Sequence, residues 1–142
     1  MRTRTFTTRS EEETIALAAE LAREWTPPRC VLLIGCLGAG KTTFAKGVAE
    51  GLGAAPADEI SSPTFALIHE HGSGLLYHVD LYRLDTEAEV ASLGLEEILA
   101  RQAVVLLEWA ERFPRLLPEE RIEVRIEPRD GEERFLEVKE LP

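Results

Sequence analysis

Cys30-Val31-Leu32-Leu33-Ile34-Gly35-Cys36-Leu37-Gly38-Ala39-Gly40-Lys41-Thr42 is the stretch from which the fold can be read. Cys30 to Ile34 is an unbroken apolar run, too short for a helix and without polar alternation, as expected of a strand covered on both faces. Gly35 to Thr42 matches G-x-x-x-x-G-K-[ST], the phosphate-binding loop. Its glycines let backbone N–H groups curl around phosphate oxygens, and the helix that follows offers the positive end of its dipole. Lys41 to Leu52 has the spacing of that helix, and Gly53 closes it. A Gly-rich turn before a helix can arise by chance, but not readily with every motif position filled between an apolar strand and a helix.

Outward from this unit, Arg2 to Thr8 alternates threonines and Phe6 with arginines and reads as a strand. Ser10, with Glu13 three residues on, forms a capping box. Ile15, Ala18, Ala19, Ala22 and Trp25 then recur at helical spacing until Thr26-Pro27-Pro28. Phe65 to Glu70 and Leu75 to Leu81 read as two strands joined through Gly72-Ser73-Gly74. Thr86 to Ile98 is weakly helical and broken at Gly94. Ala103 to Leu107 is a second unbroken apolar run. Ile122, Val124 and Ile126 alternate within Arg121 to Glu127, which pairs with Arg134 to Lys139 around Arg129-Asp130-Gly131. Two buried runs with helices between them, plus hairpins, predict an α/β fold. The expected form is a P-loop NTPase-like three-layer α/β/α arrangement with a mixed central sheet and a C-terminal β-hairpin.

The chain has 142 residues and a mass of 15.8 kDa, enough for one domain over 1–142. Apolar residues make up 44%, which supports a core without disulfides. The net charge of −10 makes the chain a poor candidate to hold a phosphate backbone on its own surface, since that binding is driven largely by Lys and Arg. No apolar run is long enough to span a membrane. Residues 1–13 lack the apolar stretch of a signal peptide, so a cytoplasmic chain is expected. Cys30 and Cys36 form neither a disulfide framework nor a CxxC knuckle.

A phosphate-binding loop implies Mg²⁺ and a carboxylate to hold it. Lys41 is placed to reach the outer phosphates and the Thr42 hydroxyl to ligate Mg²⁺. Leu37, Gly38, Ala39, Gly40, Lys41, Thr42 and Thr43 are the candidate nucleotide-binding residues of the loop. Two acids end apolar stretches: Asp80 after Tyr77-His78-Val79, and Glu108 after Val104-Val105-Leu106-Leu107. Mg²⁺ keeps several waters in its octahedron, so one acid can ligate directly and the other through water. Glu108 is also a candidate to orient or deprotonate the attacking water. Thr64, in Ser61-Ser62-Pro63-Thr64-Phe65, reads equally as a γ-phosphate sensor or as an ordinary loop residue. Trp109 reads as core, nucleotide neighbour or partner contact. His69, His71 and His78 lack a third ligand at zinc spacing and read as polar strand residues. Cys36 reads as loop packing.

Guanine recognition through N-K-x-D is impossible, because the chain contains no Asn. Asp80 does not begin D-x-x-G either, since Arg83 stands at the Gly position. ATP is therefore the expected nucleotide. A metabolite kinase would need a substrate lid that few residues here can build, although 85–101 could serve. A bare core fits an ATPase whose output goes to another protein; a non-hydrolysing nucleotide-binding module is the other alternative.

Gly35 to Phe44, Ser62-Pro63-Thr64-Phe65, His78-Val79-Asp80-Leu81-Tyr82-Arg83-Leu84 and Glu108-Trp109 together resemble the TsaE (YjeE) family in order and spacing. These are small bacterial ATPases of tRNA threonylcarbamoyladenosine biosynthesis. The resemblance runs from the Ser10 cap to the terminal hairpin. The D-L-Y-R-L and E-W blocks are far more specific than the phosphate loop alone. The resemblance implies work with TsaB and TsaD, whose complex modifies adenosine 37 of tRNA, with ATP hydrolysis resetting the complex between turnovers. The tRNA would then be met only through the partners, which fits the negative charge. It also implies that Lys41 and Thr42 hold phosphate and Mg²⁺, that Asp80 and Glu108 complete the metal and water site, and that Thr64 is switch-like with Trp109 close by. Ser10 and Thr14 would approach the adenine. Arg134 would represent the family's C-terminal Gly–Arg element at an altered spacing from Gly131. Cys36 stands where an acidic residue is usual in the family. The cradle of backbone N–H groups does not depend on that side chain.

Overall fold

In the computed structural model, which describes residues 1–36, 38–61 and 67–142, the strands are β1 (Arg2–Thr8), β2 (Arg29–Ile34), β3 (Ile68–His71), β4 (Leu76–Asp80), β5 (Val104–Glu108), β6 (Arg121–Pro128) and β7 (Arg134–Leu141). The helices are α1 (Glu11–Arg23), α2 (Lys41–Leu52), α3 (Glu87–Ser92) and α4 (Leu95–Leu99). The strands form one sheet in the order β1-β7-β6-β2-β5-β4-β3. The two apolar runs lie side by side at its centre: β2 and β5 are parallel, with Val31 opposite Leu106 and Leu33 opposite Glu108. β4 and β6 extend the parallel core on either side. β3, β7 and β1 add antiparallel edges, so the sheet is mixed as expected.

Strand alternation divides the apolar residues between two cores, because successive side chains point to opposite faces. Val31, Leu33, Leu76, Val104 and Leu106 pack toward α1 and α2. Cys30, Leu32, Val79, Val105 and Leu107 pack toward Val90, Leu95 and Ile98 of α3 and α4. This is the three-layer α/β/α arrangement.

α1 and α2 approach almost backbone to backbone. A Cβ on Gly47 would lie 2.6 Å from the Ala18 Cβ, and one on Gly51 would lie 2.8 Å from the Ala19 Cα. Two glycines one turn apart therefore seat α2, whose first residue is Lys41.

Ser10 caps α1 by accepting the Glu13 N–H at 3.1 Å. Glu13 does not return to Ser10; its carboxylate accepts the Arg9 N–H at 2.7 Å. The complete capping box lies at Thr86 and Glu89 instead. Gly94 breaks the 86–98 segment into α3 and α4, as its sequence suggests. Among the described residues β3 begins at Ile68; the expected strand start at Phe65, with Ala66, lies outside them. Among the described residues, no helix is long and apolar enough to cross a membrane.

Candidate functional site

The parallel strands β2, β5 and β4 end together, and the crevice beyond the carboxyl ends of such strands is where open α/β sheets bind ligands. Gly35 follows β2 and lets β6 pass close by: a Cβ there would meet the Ile126 carbonyl oxygen at 2.8 Å. Gly38 (φ +79°) and Gly40 (φ +109°) take left-handed backbone that side chains rarely adopt. Gly40 is the N-cap of α2 and supplies no side-chain cap. The N–H groups of the first turn are thus open to an anion.

A cavity of about 400 Å³ lies over this turn, within the range of ligand pockets. Gly38, Gly40, Lys41, Thr42 and Thr43 line it from the loop and α2, Asp80 and Tyr82 from the end of β4, and Glu108 and Trp109 from the end of β5. Arg134 and Glu11 close the remaining side. Asp80 and Glu108 are directly opposite in the parallel β4–β5 register, which is why two acids far apart in sequence share one wall. Thr14 sits in a small recess of about 40 Å³ that shares Glu11, Gly40, Thr43 and Arg134. Ser10 spends its hydroxyl on the helix cap. Ala39 is fully buried, and its carbonyl accepts the Arg134 Nε–H at 2.9 Å. Leu37 and Thr64 lie outside the described residues.

The electrostatics centre on Lys41. Its side chain is 6% exposed, and its Nζ has no hydrogen-bond partner among the described residues. Nζ stands 3.8 Å from Glu108 Oε1 and 3.9 Å from the centre of the Trp109 ring. An ammonium held by one long ion pair and a ring face is under-coordinated, and a phosphate oxygen would complete it. Glu108 is 3% exposed, and its Oε2 accepts a hydrogen bond from His78 Nε2 at 2.5 Å. Asp80 is likewise buried, and its Oδ1 accepts the Tyr82 N–H at 2.8 Å.

Trp109 has φ +65°, unusual for a large side chain; its indole lies over Lys41, with the Tyr82 ring centre 5.1 Å away and tilted by 53°. Trp109 thus lines the cavity while also packing against the core on the α3–α4 side of the sheet.

A Mg²⁺ ion fits the donor set in one way. The Thr42 hydroxyl and the Asp80 and Glu108 carboxylates are hard oxygen donors around one cavity. Among the described residues, no group of three or more His, Cys, Asp or Glu side chains can hold a metal by itself. A cation here would share its shell with phosphate and water. His69 and His71 pack edge to face at 6.0 Å on β3 and do not line this cavity.

Three side chains of the site escape sequence reasoning. His78 reads as a polar strand residue but is fully buried on β4 and bonded to Glu108. The period of two that places it on the face of Asp80 was the available signal. Arg112, in the turn after β5, donates to the carbonyls of Leu81 (2.5 Å) and Leu84 (2.7 Å), tying the Asp80 turn to the Trp109 turn. Glu11 carries no sequence signal beyond its place in the first turn of α1. Cys36 is exposed in the loop, whereas burial pushes the Cys30 thiol up to about 12.

The model of the family described as "Threonylcarbamoyl adenosine biosynthesis protein TsaE" matches residues 8–136. The chain belongs to the TsaE family. A TsaE relative from Bacillus subtilis, named tRNA threonylcarbamoyladenosine biosynthesis protein TsaE, is 45% identical over 125 residues, 87% of this chain and 77% of that protein. A Rickettsia conorii TsaE of the same name is 40% identical over 134 residues, 93% of this chain and 75% of that protein. A crystal structure of Bacillus subtilis YdiB aligns with a TM-score of 0.80 at 36% identity, covering 99% of this chain and 87% of that one. The TsaE match spans every described wall of the cavity, from Glu11 to Arg134.

Proposed function

We propose that this chain is a single-domain P-loop ATPase that hydrolyses Mg-ATP and works with TsaB and TsaD in forming N6-threonylcarbamoyladenosine at tRNA position 37. Hydrolysis would reset that complex between turnovers, in the cytoplasm, with tRNA met only through the partners. The observation that carries the reading is the buried, under-coordinated Lys41 ammonium facing a cavity whose opposite wall is Glu108 and Asp80. Membership of a family named for this modification supplies the biological setting.

In this reading the first turn of α2 and Lys41 bind the outer phosphates. Thr42, with Asp80 or Glu108, holds Mg²⁺, which when bound neutralises charge on the phosphates. Glu108 takes a proton from the attacking water. Arg134 steadies the loop through the Ala39 carbonyl, and Trp109 shields Lys41 from solvent. Thr64 is the proposed switch-like residue, and Ser10 and Thr14 the proposed neighbours of the adenine.

The test is phosphate release from Mg-ATP by the chain alone and with TsaB and TsaD, for the wild type and for Glu108→Ala. Strong stimulation by the partners, lost in Glu108→Ala, is expected. No stimulation despite confirmed nucleotide binding and complex formation would overturn the reading.

A further inference from the structure

His78 is 0% exposed in a sheet position flanked on its own face by Leu76, by Leu106 of β5 and by His69 of β3. An apolar side chain would fill this position without the cost of burying an imidazole. What the histidine adds is one donor aimed at one acceptor: Nε2 lies 2.5 Å from Glu108 Oε2. The bond runs diagonally, because His78 stands opposite Leu106 while Asp80 stands opposite Glu108. The other ring nitrogen, Nδ1, has no hydrogen-bond partner among the described residues. Among the described residues, the ring's one hydrogen bond is to Glu108. Glu108 in turn divides its oxygens, with Oε2 on His78 and Oε1 facing Lys41 at 3.8 Å.

We infer that His78 is a positioning residue that fixes Glu108 through Oε2 so that Oε1 is presented to the attacking water when Lys41 turns to the phosphates. This rests on the hydrolysis reading above. Lys41 Nζ stands 3.8 Å from Oε1, so a phosphate that draws the ammonium toward itself leaves this oxygen to the water. His78 keeps its hold throughout the exchange. Oε1 then receives the proton of the water whose oxygen bonds to the γ-phosphorus. The bond from that phosphorus to the bridging oxygen breaks, ADP leaves, and the proton passes from Oε1 to the released phosphate.

The experiment compares His78→Gln, His78→Asn and His78→Leu in the full chain, with Mg-ATP, TsaB and TsaD. kcat and KM are measured, and thermal melting checks that each variant folds. A Gln amide nitrogen reaches about as far as ring Nε2; an Asn amide stops short of Glu108. Loss of such an orienting partner costs about 10–100-fold. His78→Asn and His78→Leu should lose that much in kcat, with KM changed less than about 3-fold. His78→Gln should recover to within about 5-fold of wild type. Equal rates for the Gln and Asn variants, or a loss carried by KM, would overturn the role, since a merely structural histidine predicts either. Wild-type turnover with undiminished kcat in His78→Leu sinks His78 alone. Nucleotide binding without any wild-type turnover sinks the hydrolysis reading and this role with it.

Discussion

Replacing Glu108 by Gln removes one of two opposed charges from the site and leaves the Lys41 ammonium without its carboxylate. The two groups are 6% and 4% exposed and 3.8 Å apart. At an effective dielectric of about 20, Coulomb's law gives about 4 kcal/mol as the ceiling of their attraction. Two features lower the net loss. The pair is long and no hydrogen bond accompanies it, so the net attraction lies below this ceiling. The Trp109 face also keeps about 1 kcal/mol of cation–π attraction. Glu108→Gln should therefore be about 2–3 kcal/mol less stable than wild type in urea unfolding, with Tm roughly 6–10 °C lower. Lys41→Met with Glu108→Gln removes both charges and should return to within about 1 kcal/mol of wild type, a coupling of about 2 kcal/mol. Mg-ATP should raise the Tm of Glu108→Gln more than that of wild type, because phosphate oxygens replace the lost carboxylate beside Lys41. Additive single effects, within about 0.5 kcal/mol in the double variant, would refute the pairing. So would a Glu108→Gln chain as stable as wild type.

Gly51→Ala would place a Cβ 2.8 Å from the Ala19 Cα. The overpacking cost of about 1–3 kcal/mol exceeds the helix-propensity gain of about 0.5–1 kcal/mol, so urea unfolding should show a net loss; a gain would refute the close α1–α2 contact. Thiol titration of the native chain near about pH 8 should count one fast thiol, Cys36, and a second only after unfolding, because burial pushes Cys30 up to about 12. Two fast thiols would mean that Cys30 is open to solvent. Burial, with the neighbouring His69 and His78, holds the His71 pKa below its ordinary 6.5. The unfolded chain then binds more protons there, so the stability tied to this group is complete above pH 6.5 and falls as acidification passes below it. Tm should decline in that window and decline less in His71→Asn; equal profiles would refute the assignment.

The strand–loop–helix unit was legible because its logic is local. An apolar run, glycines able to take positive φ, and a helix start lie within a few residues of one another. The two acids were legible individually, as ends of apolar stretches. Their meeting was expected from the phosphate loop's need for Mg²⁺ and from the resemblance, but the means was not legible, because it is the β4–β5 register that sets Asp80 opposite Glu108. The His78–Glu108 bond lies one step further from the sequence, since it crosses that register on the diagonal. β1 was readable as a strand, but its place beyond β7 at the sheet edge is a non-local fact. Arg134 came from resemblance alone: its bond to Ala39 spans 95 positions. Local rules fail most plainly at Trp109, a bulky residue at positive φ, and at Lys41, a buried cation with no hydrogen-bond partner among the described residues. Both departures are costly to folding, and both converge on one cavity within 3.9 Å of each other. A chain selected only for stability would have no use for either, and the proposed phosphate site gives both a purpose.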